Sequence, residues 1–223
     1  MEIDFLQKVI FNSSDILCKI GLTNHIKALQ NGIVYMKNLK FHKEQERKHP
    51  NLNIGDELEG VLLKNSKGYL VLNETEKIPV LLNNLELDEK YPIFCAMKIN
   101  LINGQRFLPN KKLKSDFALN NIEEYSVLIF EKENFINKCN ITLTNKGLDG
   151  VYSAIKYTDE FLMCNNLYEL AYKKRTRYKY QNEHRLLVNY KVDDFFTIDI
   201  GSIKDKSFLT PAKDFFDNGI LFT

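Results

Sequence analysis

The sequence predicts an α+β fold, a mainly antiparallel sheet with few helices. Short apolar runs of strand type recur along the chain, helical spacing shows in only a few places, and no repeat period or low-complexity tract is visible. The 223 residues are 44% hydrophobic and 12% aromatic with only 10 Gly and 5 Pro, a composition that supports a packed core and excludes collagen-like or disordered chains.

Asp15-Ile16-Leu17-Cys18-Lys19-Ile20 reads as a buried strand. Thr23 is placed to cap a helix through His25, Ile26, Leu29 and Gln30, which Asn31-Gly32 ends in a left-handed turn. Ile33-Val34-Tyr35-Met36 supplies a second strand, and the charged run 41–50, without apolar periodicity, reads as a solvated connection. Residues 57–64 and 69–72, joined by a turn at 65–68, predict a hairpin. Residues 77–82 and 92–99 predict two more strands, the first at an edge because Pro79 cannot donate to a ladder. Charged stretches at 41–50 and 111–114 bracket this segment, so 55–103 reads as a β-rich insertion or subdomain in a main domain formed by 1–54 and 104–223. Farther on, 125–130 and 151–157 read as strands and 159–174 as a helix. Residues 178–190 and 195–200 then form two strands joined by a turn at 192–194, before a helical turn with Pro211 at its first position.

Thirty-one Lys+Arg against 29 Asp+Glu leave a net charge of +2, so any binding to nucleic acid must come from a local patch. The N-terminus lacks the basic start of a signal peptide and no apolar run spans a bilayer, which predicts a cytoplasmic protein without membrane contact. Cys18, Cys95, Cys139 and Cys164 lie far apart among apolar residues, as buried reduced thiols do. Neither they nor His25, His42, His49 and His184 have metal-ligand spacing, and the acids of 55–60 lack a calcium-loop pattern, so no metal site is expected.

The densest chemistry is the run Lys173-Lys174-Arg175-Thr176-Arg177-Tyr178-Lys179-Tyr180-Gln181-Asn182-Glu183-His184-Arg185. As a strand, its latter part puts Lys179, Gln181, Glu183 and Arg185 on one face. Nearby positive charge keeps Glu183 ionised, and a fixed carboxylate could accept a sugar hydroxyl's hydrogen bond while stabilising a developing positive charge, the outline of glycosyl transfer. From spacing alone a structural Glu183–Arg185 ion pair on a half-exposed sheet is the favoured reading, since structural networks perturb carboxylates too. Arg175, Arg177 and Tyr178 read as a substrate or nucleic-acid surface, with cations on phosphates and a ring on a base, whereas Lys173, Lys174 and Arg175 read equally as a helix C-terminus favoured by the dipole.

Lys19 in a first strand, the helix ending Leu29-Gln30-Asn31-Gly32, the strand Ile33-Val34-Tyr35-Met36 and the late Tyr180-Gln181-Asn182-Glu183-His184-Arg185 together resemble a family of bacterial and phage proteins with an aromatic-x-x-Glu-x-Arg motif. That family is similar, remotely, to ADP-ribosyltransferase toxins. The resemblance covers about residues 15–40 and 120–203, and implies an ADP-ribosyltransferase-like core, with Glu183 as catalytic glutamate and NAD held by Lys19, Gln181 and Arg185. Lys19-Ile20-Gly21 stands where those toxins usually carry His and a hydroxyl residue. What it implies is a possible NAD-dependent enzyme of a toxin or anti-phage defence setting, modifying a nucleic acid or protein acceptor. The alternatives are a non-catalytic binding module acting on a host or phage protein, and a nucleic-acid binder.

Overall fold

The computed structural model describes residues 8–9, 15–48, 56, 61–63, 66–71, 77–82, 85–100, 106–118, 121–159 and 167–222. Helix and strand are mixed around one mainly antiparallel sheet with few helices. Its strands are β1 (Asp15–Leu22), β2 (Ile33–Asn38), β3 (Pro92–Asn100), β4 (Tyr125–Glu131), β5 (Gly150–Ala154), β6 (Glu183–Val188), β7 (Phe195–Asp199) and β8 (Ser207–Pro211). The path runs β5-β6-β3-β1-β4-β8, every pair antiparallel.

The sheet forks at β3. One edge of β3 is taken by β6, from Ile93 to Met97. The other edge is shared: β1 pairs with Met97 to Asn100, β2 with Pro92 and Ile93, and β7 pairs with β2 alone. Between these contacts β1 and β2 diverge, joined by helix α1 (Thr23–Gln30). Gly32, at φ +105°, turns the chain from α1 into β2, and a Cβ there would stand 2.4 Å from the Gly201 carbonyl oxygen. Only glycine combines that backbone with that approach.

Alternation along the strands divides the core. On one face Leu17, Phe94, Leu128 and Leu186 pack against Ile26 and Leu29 of α1. Phe135, Cys139 and Leu143 join them from helix α4 (Lys132–Asn145). The opposite face carries two clusters. Ile16, Cys18, Val127 and Ile129 pack with Phe215 of α5 (Ala212–Asn218) and Leu113 of α3 (Lys111–Ala118), whereas Ile93 and Leu187 pack with Leu170, Ala171 and Tyr172. Cys18 and Cys139 are free thiols buried in this core, where loss of water pushes their pKa up, to about 12 for Cys139. Cys164 lies outside the described residues.

Several expectations are corrected. The run 41–50 is not a bare connection: Leu39–Lys48 forms helix α2, started by Asn38, whose Oδ1 accepts the Phe41 N–H at 3.0 Å. Thr23 does not cap α1, because its hydroxyl donates to Glu124 O at 2.9 Å. The strand 66–71 pairs with 77–82 rather than with the preceding run, and 61–63 pairs with 85–86, the remainder of the expected hairpin lying outside the described residues. Pro92–Asn100, expected in the insertion 55–103, is the central strand of the main sheet with Phe94 in its core. In place of a helix over 159–174, a 3-10 helix over Leu167–Tyr172 leads into a two-residue strand, Lys173–Lys174, while 160–166 lie outside the described residues. The strand expected from 178 begins only at Glu183. Residues Thr176–Gln181 wind as a 3-10 helix, which Asn182, in a left-handed conformation at φ 42°, turns into β6. The segments 183–188 and 195–199 are not a hairpin, since β7 pairs with β2. Pro211 precedes α5 instead of occupying its first position.

Candidate functional site

The pairing Cys18–Met97–Glu183 puts these three side chains on one face of the sheet, so Lys19, next to Cys18, leaves by the other. Its ammonium confirms the direction, lying 5.1 Å from the centre of the Phe94 ring in the opposite core. β3 also stands between their strands. The shared cleft of Lys19 and Glu183 that the resemblance implied is therefore not formed.

Glu183 is instead the centre of a buried ion cluster at the seam between the two clusters of its face. Arg185 Nε donates to Oε1 at 2.5 Å, Lys174 Nζ reaches Oε2 at 3.0 Å, and the Glu183 N–H donates to Tyr157 Oη at 2.7 Å. The second arm of Arg185 donates to Ala171 O at 2.7 Å, and Gln181 Oε1 accepts from Lys174 at 2.9 Å. Burial alone would push the Glu183 carboxyl up, but Arg185 and Lys174 together hold it well below the usual carboxylate range. Burial pushes the Tyr157 hydroxyl up to about 12. Two cations thus share one carboxylate inside the fold.

The expected binding surface is also consumed internally. The Tyr178 ring is wholly buried, with Arg177, Lys174 and Arg175 at 4.7, 4.8 and 5.7 Å from its centre, so no base can stack on it. Arg177 donates to its hydroxyl at 2.6 Å, and Arg175 pairs with buried Asp56 at 2.6 Å.

A cleft of about 310 Å³ lies in the fork between β1 and β2. Its floor is Phe94 and Cys95, whose carbonyl oxygen accepts from Lys19 Nζ at 2.7 Å. Ile26 and Leu29 of α1 form an apolar wall, and Phe41 and His42 of α2 stand opposite. Ile33, Tyr35 and Lys37 of β2 line the mouth, where His25 stacks with Tyr35 at 6.2 Å. Tyr35 in turn stacks on Phe195 of β7 at 5.2 Å and 27°, although both rings stay open to solvent, at 42% and 51%. Lys37 lies 5.1 Å from the centre of the Phe41 ring and 5.6 Å from those of Tyr35 and Phe195. Asp194 fixes it at 2.6 Å and that hydrogen bond raises its pKa. None of the described residues lining the cleft is a carboxylate.

No family model, curated protein or solved structure matches the chain. Among the described residues no helix is long and apolar enough to cross a membrane, and no group of His, Cys, Asp and Glu could hold a metal ion.

Proposed function

We propose that this chain is a binding module that takes single-stranded nucleic acid at the fork of its sheet. One observation carries the reading: two solvent-open rings, Tyr35 and Phe195, stack beside the Asp194-paired Lys37 at the mouth of an apolar cleft whose described lining residues include cations and no carboxylate. Rings on an open strand pair offer a platform for bases of any sequence, and neighbouring lysines neutralise phosphates. A net charge of +2 supplies no long-range pull, so binding is local, modest at physiological salt and stronger at low salt. The Glu183 cluster holds β6 to the 171–174 segment and takes no part in recognition.

The test is fluorescence anisotropy of a labelled oligothymidylate at low salt. The wild-type chain should bind saturably, and the Tyr35→Ala and Phe195→Ala variants should each lose roughly tenfold in affinity, since a stacked base is worth about 1–3 kcal/mol. An anisotropy that stays flat with the wild-type chain, or equal binding by a folded double variant, would overturn the reading.

A further inference from the structure

A second pocket, of about 450 Å³, lies between α4 and the edge of the sheet formed by β5 and β6. Lys132, Ile136 and Asn140, four residues apart along one side of α4, face Tyr152 and Ser153 of β5 and His184 of β6 across it. The Tyr152 and His184 rings stack at 5.6 Å and 29°, and both Tyr152 Oη and His184 Nδ1 are buried without a hydrogen-bond partner. Buried polar atoms are nearly always paired, because losing water without replacement is costly. Two such atoms on adjacent rings lining one pocket are explained together if the pocket receives a polar guest.

The charge around them selects its sign. Lys98 and Lys132 share a single carboxylate, Asp15, each at 2.5 Å, which leaves one positive charge in excess. The ionisable groups acting on His184 are these three with Glu183, and after burial it is the two lysines that push the imidazole's pKa down. An ordered water could satisfy the hydrogen bonds of Tyr152 and His184 but not that charge. We infer that the pocket is an anion site which takes a phosphate group, with the Tyr152 hydroxyl and the His184 imidazole as donors beside the Lys132 ammonium. A phosphate offers enough oxygens to meet hydroxyl, imidazole and ammonium at once. This site is independent of the fork cleft and stands whether or not nucleic acid binds there.

The experiment follows the His184 ring proton by NMR, assigned with His184→Gln, through a pH titration in sodium chloride and in inorganic phosphate of equal ionic strength. Phosphate should raise the midpoint, because a bound anion favours the imidazolium. A parallel arm with adenosine 5′-monophosphate separates the sources: tighter binding than inorganic phosphate assigns a nucleotide, weaker binding free phosphate, and either supports the site. Tyr152→Phe should weaken binding roughly tenfold to a hundredfold, the share of one hydrogen bond to a charged group. Its melting temperature should not fall, since the hydroxyl it loses has no partner in the protein. Identical midpoints in chloride and phosphate, or unchanged affinity in Tyr152→Phe, would overturn the inference.

Discussion

Arg185 Nε sits 2.5 Å from Glu183 Oε1, two residues along the same face of β6, while its other arm holds the Ala171 carbonyl at 2.7 Å. The pair thereby joins the main sheet to the 3-10 segment that covers it. With Lys174 on the second carboxylate oxygen, removing the negative charge strands two buried cations. Glu183→Gln should lower unfolding free energy by about 3 kcal/mol, the low end for breaking a buried pair. Urea denaturation measures this, and an unchanged midpoint would show that the cluster contributes nothing to stability.

Two ion-paired carboxylates set an acid limit. Glu183 and Asp15 both have carboxyls held below their ordinary values, Asp15 at about 2, through its hydrogen bonds to Lys132 and Lys98. A folded-state pKa below the unfolded one contributes stability that is fully present above the unfolded value, about 4. That stability is lost as pH falls through the folded value. Denaturation midpoints should hold near neutral pH and decline from about pH 4.5 downward, and Glu183→Gln should flatten part of the decline.

Asn38 fixes the wall of the fork cleft. Its Oδ1 accepts the Phe41 N–H, and its amide donates to Asp193 O at 2.8 Å, tying α2 to the turn before β7. Asn38→Ala should cost about 1 kcal/mol, the loss of a helix cap, read by thermal unfolding. It should also weaken oligonucleotide binding, because Phe41 and His42 lose their support.

Lys37 tests the electrostatic part of the proposed function. Lys37→Gln should reduce the slope of log affinity against log salt by about 0.7, the share of one phosphate contact on a single strand. A slope equal to that of the wild-type chain would assign the salt dependence to other cations.

Much of the sheet was legible. Ile33-Val34-Tyr35-Met36 alternates between exposed and buried as β2 requires, and Tyr125–Glu131 is apolar on both faces because helices cover both. Helix α4 had a readable signal in Phe135, Cys139 and Leu143, a buried stripe at spacings of four that adjacent asparagines and lysines obscure. Helix α2 had a start signal in Asn38, a cap residue, but the dense charge of 41–50 masked it, and backbone bonds from Leu39 and Lys40 to Tyr91 and Glu89 complete its start. The run 173–185 drew attention as a charge cluster, but whether charges face a ligand or one another is decided by tertiary contacts. Nothing local shows that Asn182 halts a 3-10 turn there. The Tyr35–Phe195 platform was invisible for the same reason: it exists only in the register that pairs β2 with β7.

The position of β3 bears on how the chain acquires its structure. Its neighbours are β1 and β2, which precede it, and β6, which begins only at Glu183. A ribosome-bound chain that has emerged as far as α4 can join β3 to β1 and β4, but the other edge of that apolar strand then has no native partner. Closing it waits for β6 to emerge, as the pairings of β7 with β2 and of β8 with β4 wait for strands still farther along the chain, and such distant pairings are intrinsically slow. Until then the open edge of β3 can pair with another chain.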